Sequence, residues 1–225
     1  MTGKSYKLAQ QRFGLENTYN RYPATYRASS RRDRYEMRCI LRALEHIPAG
    51  SHVLDLPCGT GRLTAMLLER GFRVTGADSA PGMVAAARES FEARGDQADL
   101  DVTFEVRDIM NTGYEDKAFD AVICNRLFHH FTESDTRKAA LAELHRISRG
   151  PVIISFFNSF SLSAMFRKLK NRLKNRQPVD RIPIPMRVFK AELQAAGFSV
   201  NKAYAVRWGR SPHWYVVAEP GHNKL

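Results

Sequence analysis

Residues 53–63, Val-Leu-Asp-Leu-Pro-Cys-Gly-Thr-Gly-Arg-Leu, constrain this chain more than any other stretch. The apolar start reads as a short strand buried on both faces. The two glycines then let the backbone turn sharply into a helix whose free N–H groups face whatever sits in the bend. Such a bend is a ligand site, and two ligand classes use it. A dinucleotide fingerprint has a third glycine for close helix packing, at the position where this chain has Thr64. Asp55, four residues before Gly59, instead puts a carboxylate where it would face a cationic ligand rather than a pyrophosphate.

The run Asp55-Leu56-Pro57-Cys58-Gly59-Thr60-Gly61 resembles motif I of the class I S-adenosylmethionine (SAM)-dependent methyltransferases, written D/E-x-G-x-G-x-G in that family. Pro57 stands at the first glycine, so the strand exit has to accommodate the fixed φ of proline, about −65°. SAM carries an ammonium and a sulfonium, which suits a carboxylate at Asp55. The resemblance implies an α/β, Rossmann-like, doubly wound fold: a mostly parallel seven-stranded sheet with a C-terminal antiparallel hairpin. It also implies SAM as cofactor, with no metal required.

The spacing predicts a helix after the turn, with Leu63, Met66 and Leu67 on one face and Gly71 as its stop, then a strand over 72–77 ending at Asp78. An acid there, 17 positions beyond Gly61, is where a βαβ nucleoside site places the carboxylate that accepts both ribose hydroxyls. By the resemblance, Met83 stands near the adenine, Asp108 accepts from its amino group after a third strand over 100–106, and the Ile109 N–H reaches a ring nitrogen. Asp108 as an ordinary turn former is the alternative.

Residues 119–124 form a buried strand that ends in Asn125-Arg126-Leu127-Phe128-His129-His130-Phe131, the position of the family's motif IV. Asn125 is expected beside the cofactor and at the mouth of the acceptor channel. His129 and His130 are candidate catalytic residues, His130 preferred, because methyl transfer to an oxygen needs a proton removed near neutral pH. Transfer to a neutral amine needs only alignment. The competing expectation is that a histidine here packs, or caps the helix expected over 133–149. The Asn-Pro-Pro-Tyr signature of enzymes acting on amino groups of bases is absent.

Charge is unevenly placed. The net charge is +12. Residues 1–38 hold nine Lys/Arg against Glu16, Asp33 and Glu36, and residues 157–185 hold seven against Asp180, so each segment carries +6 and the remainder is neutral. A single domain over 1–225 is therefore expected to carry an N-terminal basic lid segment, 1–48, and a basic helical insertion, 157–185. In the lid, Pro23 separates two short helices, the second over 29–46; a merely solvated basic face is the alternative. In the insertion, Leu162, Met165, Phe166, Leu169 and Leu173 recur at helical spacing over 159–176, and six cations fill the ten positions from Arg167 to Arg176. This basic amphipathic helix either roofs the protein's own pocket or lies against an anionic membrane.

A fifth strand is expected over 152–157 and a helix over 186–196, closed by Gly197. Strands over 198–208 and 213–219 are joined by a link too short for a parallel crossover, so they pair antiparallel. The three cysteines form no C-x-x-C pair and read as reduced thiols. No apolar run approaches the ~20 residues that cross a bilayer, and the polar start shows no signal-peptide core, so the expected location is the cytoplasm, with peripheral contact at the inner membrane surface as the finer expectation. Three functions fit. The first is a methyltransferase acting on an O or N of a small or lipid-linked, anionic acceptor. The second is an RNA methyltransferase, and the third a non-catalytic SAM-binding partner protein.

Overall fold

The computed structural model describes residues 31–93, 101–173 and 181–221. The first of the two helices expected in the lid and the stretch 174–180 lie outside them. In chain order the described elements are α1 (Arg31–Ala43), β1 (His52–Asp55), α2 (Arg62–Leu68), β2 (Arg73–Asp78), α3 (Pro81–Glu92), β3 (Val102–Val106), β4 (Ala121–Cys124), a short 3-10 turn (Phe128–His130), α4 (Ser134–Ile147), β5 (Val152–Phe157), α5 (Leu162–Leu173), α6 (Met186–Ala195), β6 (Phe198–Ala205) and β7 (His213–Pro220).

The seven strands form one sheet in the order β3-β2-β1-β4-β5-β7-β6. The first five pair in parallel, and β7 runs antiparallel to both β5 and β6, as the short C-terminal link requires. Strand order reverses between β1 and β4, and the crevice outside their C-terminal ends is where open α/β sheets bind ligands.

The central strands are apolar on both faces, and alternation assigns each residue to a layer. Leu54, Val122, Ile154 and Val216 join α4 and α6 in one core, through Leu141, Leu144, Phe189 and Leu193. Val53, Ile123, Ile153 and Tyr215 face the other way, against Ile40 of α1 and Leu63 and Leu67 of α2. A smaller cluster packs Val84, Ala87 and Phe91 of α3 on Phe104 of β3. At about 25 cal/mol per Å² of apolar surface, burying each such side chain contributes about 1.5–3 kcal/mol.

Some expected boundaries move. Helix α1 ends at Ala43 rather than 46, because the chain turns there, with the Ile47 N–H bonded to the Leu44 carbonyl ahead of Pro48. Strand β4 begins at Ala121, and Phe119 joins Ser148 by a single bridge. Strand β6 stops at Ala205, since the N–H groups of Arg210 and Ser211 both bond to the Arg207 carbonyl and fold 207–211 into a turn. That turn takes Trp208 off the sheet and leaves it 83% exposed. In the insertion, α5 begins at Leu162 rather than 159; Ser161 Oγ accepts from the Ala164 N–H at 3.1 Å, an N-cap bond that starts the helix.

Candidate functional site

The turn after β1 is built by two glycines for two different reasons. Gly59 has φ 56°, and a Cβ added there would meet nothing within 4 Å, so the backbone lies open toward the bend. Gly61 has φ 78°, and a Cβ there would stand 2.8 Å from the Phe91 ring, so its bare Cα lets α3 close against the turn. Between β1 and the first glycine, the Leu56–Pro57 peptide bond is cis.

Asp55 closes the end of β1 against the next helix. Its carboxylate is completely buried and does not face the open bend. The Thr64 hydroxyl, from the first turn of α2, donates to Oδ2 at 2.8 Å, while Oδ1 has no hydrogen-bond partner among the described residues. Burial pushes its pKa up to about 7 against the hydrogen bond from Thr64. The motif carboxylate thus holds the strand end to α2 from within, and what it does for a ligand passes through the turn.

Asp78 ties the turn to the end of β2. One carboxylate oxygen accepts from the Gly59 N–H and the other from the Ala80 N–H, both at 3.0 Å. Burial raises the pKa of the group against these bonds and a further one from the Ser79 N–H. Met83 lies half-buried in the first turn of α3. Asp108 Oδ1 accepts from the Met110 N–H at 2.9 Å, and the Ile109 side chain is buried beneath it. The C-terminal ends of β1, β2 and β3 therefore bring Gly59, Gly61, Asp78, Met83, Asp108 and Ile109 to one side of the switch point.

Asn125, Arg126, His129 and His130 stand at the end of β4, on the other side. Tyr215 donates its hydroxyl to Asn125 Oδ1 at 2.8 Å. His129 stacks on Phe157, with ring centroids 4.2 Å apart and planes 8° from parallel, and the His130 ring follows at 4.1 Å. Burial, followed by the neighbouring His130, holds the His129 pKa well below the usual range, so its ring stays neutral at physiological pH. Both histidines are buried. The packing expected as the alternative therefore describes His129.

The sequence pattern missed a buried ion cluster on this side. Glu36 of α1 is completely enclosed; its Oε2 accepts from Arg126 Nε at 2.9 Å and Nη2 at 2.6 Å, and its Oε1 lies 3.1 Å from His213 Nδ1. Burial alone would raise the Glu36 pKa, but the hydrogen bond and charge of His213, then those of Arg126, hold it down at about 2. Arg126 has φ 61°, and its N–H donates to Ser155 Oγ at 2.6 Å. A second pair, Asp33 with Arg62, fastens α1 to the residue that follows Gly61. The one available signal is that Asp33 and Glu36 fall on the same helical stripe as the buried Ile40 and Leu44.

This combination of a 3-2-1-4-5-7-6 sheet, a glycine turn after β1 and an acid ending β2 defines a Rossmann-like nucleoside-binding domain. Residues 53–150 match the family model described as a methyltransferase domain. The demethylmenaquinone methyltransferase of Thermus thermophilus is 42% identical over 116 residues, which cover 51% of this chain and 49% of that protein. The chain thus spans about half the length of that relative. Among solved structures, magnesium protoporphyrin IX methyltransferase from Synechocystis PCC 6803 with bound SAH superposes with a TM-score of 0.75 at 18% identity, covering 96% of this chain and all of that one. The 4+2 cyclase SpnF superposes with a TM-score of 0.72 at 18% identity, over 98% of this chain and 97% of that one. Over that matched stretch the chain is similar to a methyltransferase domain, and its sheet has the fold of the solved methyltransferases.

Proposed function

We propose that this chain transfers a methyl group from SAM to an oxygen or nitrogen of a small or lipid-linked, anionic acceptor. The observation that carries this is the open Gly59 backbone held by Asp78, with Asp108 at the next strand end. Gly59 leaves room for the methionine part while Gly61 lets α3 close against the turn, Asp78 accepts from the ribose hydroxyls, and Met83, Asp108 and Ile109 frame the adenine. Asp55 positions the turn from below through Thr64. Bound there, SAM supplies an activated methyl group on a sulfonium centre. Because charge disappears from sulfur as the methyl leaves, the chain's main task is to align the acceptor and exclude water.

Asn125 lines the acceptor side. His130 is the proposed base for a hydroxyl acceptor; His129, stacked and neutral, shapes the wall beside it. The basic segments 1–48 and 157–185, as lid and insertion of one domain, favour an anionic acceptor. The Thermus relative named for demethylmenaquinone favours a quinone-like, lipid-linked one. Such an acceptor would bring the chain to the inner membrane surface as a peripheral, cytoplasmic protein; among the described residues no helix is long and apolar enough to cross a bilayer.

The test has two stages, because the fold also serves a protein named as a cyclase. SAM or its demethylated product should raise the melting temperature and NAD should not; a hundredfold excess over the dissociation constant stabilises by about 2.7 kcal/mol. Label transfer from SAM should then appear in a lipid or quinone extract rather than in RNA or protein. Equal stabilisation by NAD overturns the cofactor assignment, and label confined to RNA overturns the acceptor class. With a hydroxyl acceptor, His130→Ala should lower turnover by about 10²-fold or more.

A further inference from the structure

The six most exposed large apolar side chains among the described residues lie together, on two segments far apart in sequence. Phe160, Leu162, Met165, Phe166 and Leu173 belong to α5 and the residue pair before it; Trp208 belongs to the turn between β6 and β7. Their exposure runs from 55% at Leu162 to 83% at Phe160 and Trp208. The segments are fastened to each other: the Leu162 N–H bonds to the Gly209 carbonyl at 2.9 Å, and the Asn158 N–H to the Pro212 carbonyl at 2.6 Å.

Helix α5 turns this stripe outward. Ser161 and Ala164 face the protein and are buried, while Leu162, Met165, Phe166 and Leu173, which recur at helical spacing, face solvent. A helix that roofed its own pocket would bury the leucines and expose the small residues. Cations flank the stripe, with Lys168, Lys170 and Arg172 exposed on α5 and Arg207 and Arg210 beside Trp208. Residues 159–179 contain no acid, nor do residues 206–212.

We infer that α5 and the β6–β7 turn together form a docking surface for a bilayer carrying anionic headgroups. An apolar stripe edged by Lys and Arg matches an acyl boundary beneath negative headgroups, and an exposed indole suits the interface, being apolar in body and polar at one end. Single-stranded nucleic acid would use the cations and the aromatic rings, but it offers nothing to Leu162, Met165 and Leu173. With a rise of 1.5 Å per residue, α5 would lie over about 18 Å of surface. The surface stands where β5 ends, since Phe157 pairs with His213 immediately after the turn, so it faces the same sheet edge as Asn125 and His130. A lipid-linked acceptor could enter there without leaving the bilayer. For that purpose the inference rests on the acceptor proposed above, but its test requires neither acceptor nor SAM.

The full chain is sedimented with phosphatidylcholine vesicles, with and without phosphatidylglycerol, at low and high salt. A Trp214→Phe chain, in which Trp208 is the remaining tryptophan, is followed by fluorescence. Binding should require phosphatidylglycerol, weaken with salt, and shift Trp208 emission to the blue. Two variants at exposed positions should keep the wild-type melting temperature. The combination Lys168→Glu, Lys170→Glu and Arg172→Glu should weaken partition by about a hundredfold or more, and Met165→Ser, Phe166→Ser and Trp208→Ser by about tenfold or more. Wild-type chain left in the supernatant, binding unchanged in both variants, or binding to single-stranded RNA in place of vesicles overturns the inference. Vesicle binding by a chain that SAM does not stabilise would keep this surface and overturn the cofactor site instead.

Discussion

Asp55 and Glu36 are both carboxylates with no exposure to solvent, both near the C-terminal edge of the sheet, and their surroundings treat them oppositely. Glu36 is met by Arg126 and His213 and held at a pKa of about 2. Asp55 is met by the Thr64 hydroxyl, keeps one oxygen without a partner, and is pushed up to about 7. Burying a charge is costly unless a counter-charge comes with it. On the acceptor side the fold supplies that counter-charge itself, and the result is a brace for α1. On the cofactor side it does not, and Asp78 nearby is raised as well. Burial without a counter-charge is what raises both carboxylates.

The largest effect expected from this contrast is a stability that falls with rising pH. Asp55 has a folded pKa above its ordinary 3.8, so between about pH 4 and 7 the native chain holds a proton that the unfolded chain has lost. The penalty is absent below that window and complete above it, on the order of 4 kcal/mol for three pKa units. Asp55→Asn should therefore be more stable than wild type at about pH 8, with that advantage shrinking toward pH 4, while binding SAM more weakly. Denaturant melts across the window measure it, and a constant difference would mean that Asp55 does not titrate there.

Glu36 should behave in the opposite sense. Its folded pKa lies below the ordinary 4.5, so it contributes stability that is present above that pH and lost as pH falls toward 2, about 3 kcal/mol. Glu36→Ala should cost about 3 kcal/mol at neutral pH, since it leaves Arg126 without its counter-charge. The same melts at acid pH should show that loss vanish. Smaller again, Asp78→Asn keeps oxygen for one backbone N–H but loses charge and symmetry toward the ribose, and should reduce the thermal stabilisation by SAM by about 1–2 kcal/mol. Unchanged stabilisation would remove Asp78 from the cofactor site.

The contrast also marks how much of the molecule was legible in its sequence. Everything in the cofactor half follows from local pattern: the strand, the two glycines and the acid ending β2 lie within residues 53–78 and announce one another by spacing. The C-terminal hairpin was legible for a comparable reason, a link too short to cross over. The brace was not. Glu36 lies 90 residues from Arg126 and 177 from His213, and no period connects them. Nor does composition tell a paired arginine in a basic arm from a solvated one. Asp55 was legible as a residue, but its full enclosure was not, because that depends on Thr64 folding back from the next helix. Trp208 was placed on a strand because its apolar neighbours continue the pattern, and it left the strand because the turn hydrogen bonds at Arg207 prevailed.

The smallest expected effect tests the contrast most directly. Thr64 is itself completely buried, and Thr64→Val keeps its shape while removing the hydroxyl that donates to Asp55 at 2.8 Å. A hydrogen bond to a neutral partner is worth about 1 kcal/mol and one to a charged partner about 1.5–3 kcal/mol. At about pH 5 Asp55 is protonated and the substitution should cost about 1 kcal/mol; at about pH 8 the carboxylate is ionised and the cost should rise by about 1 kcal/mol more. The valine also removes a group that favours the ionised form, so the midpoint of the pH dependence should move upward. A saturating cation in the site should reduce the excess at high pH, since the carboxylate would then have a second source of stabilisation. Equal costs at the two pH values, with or without SAM, would mean that Asp55 carries the same charge throughout, and the difference between the two carboxylates would reduce to geometry.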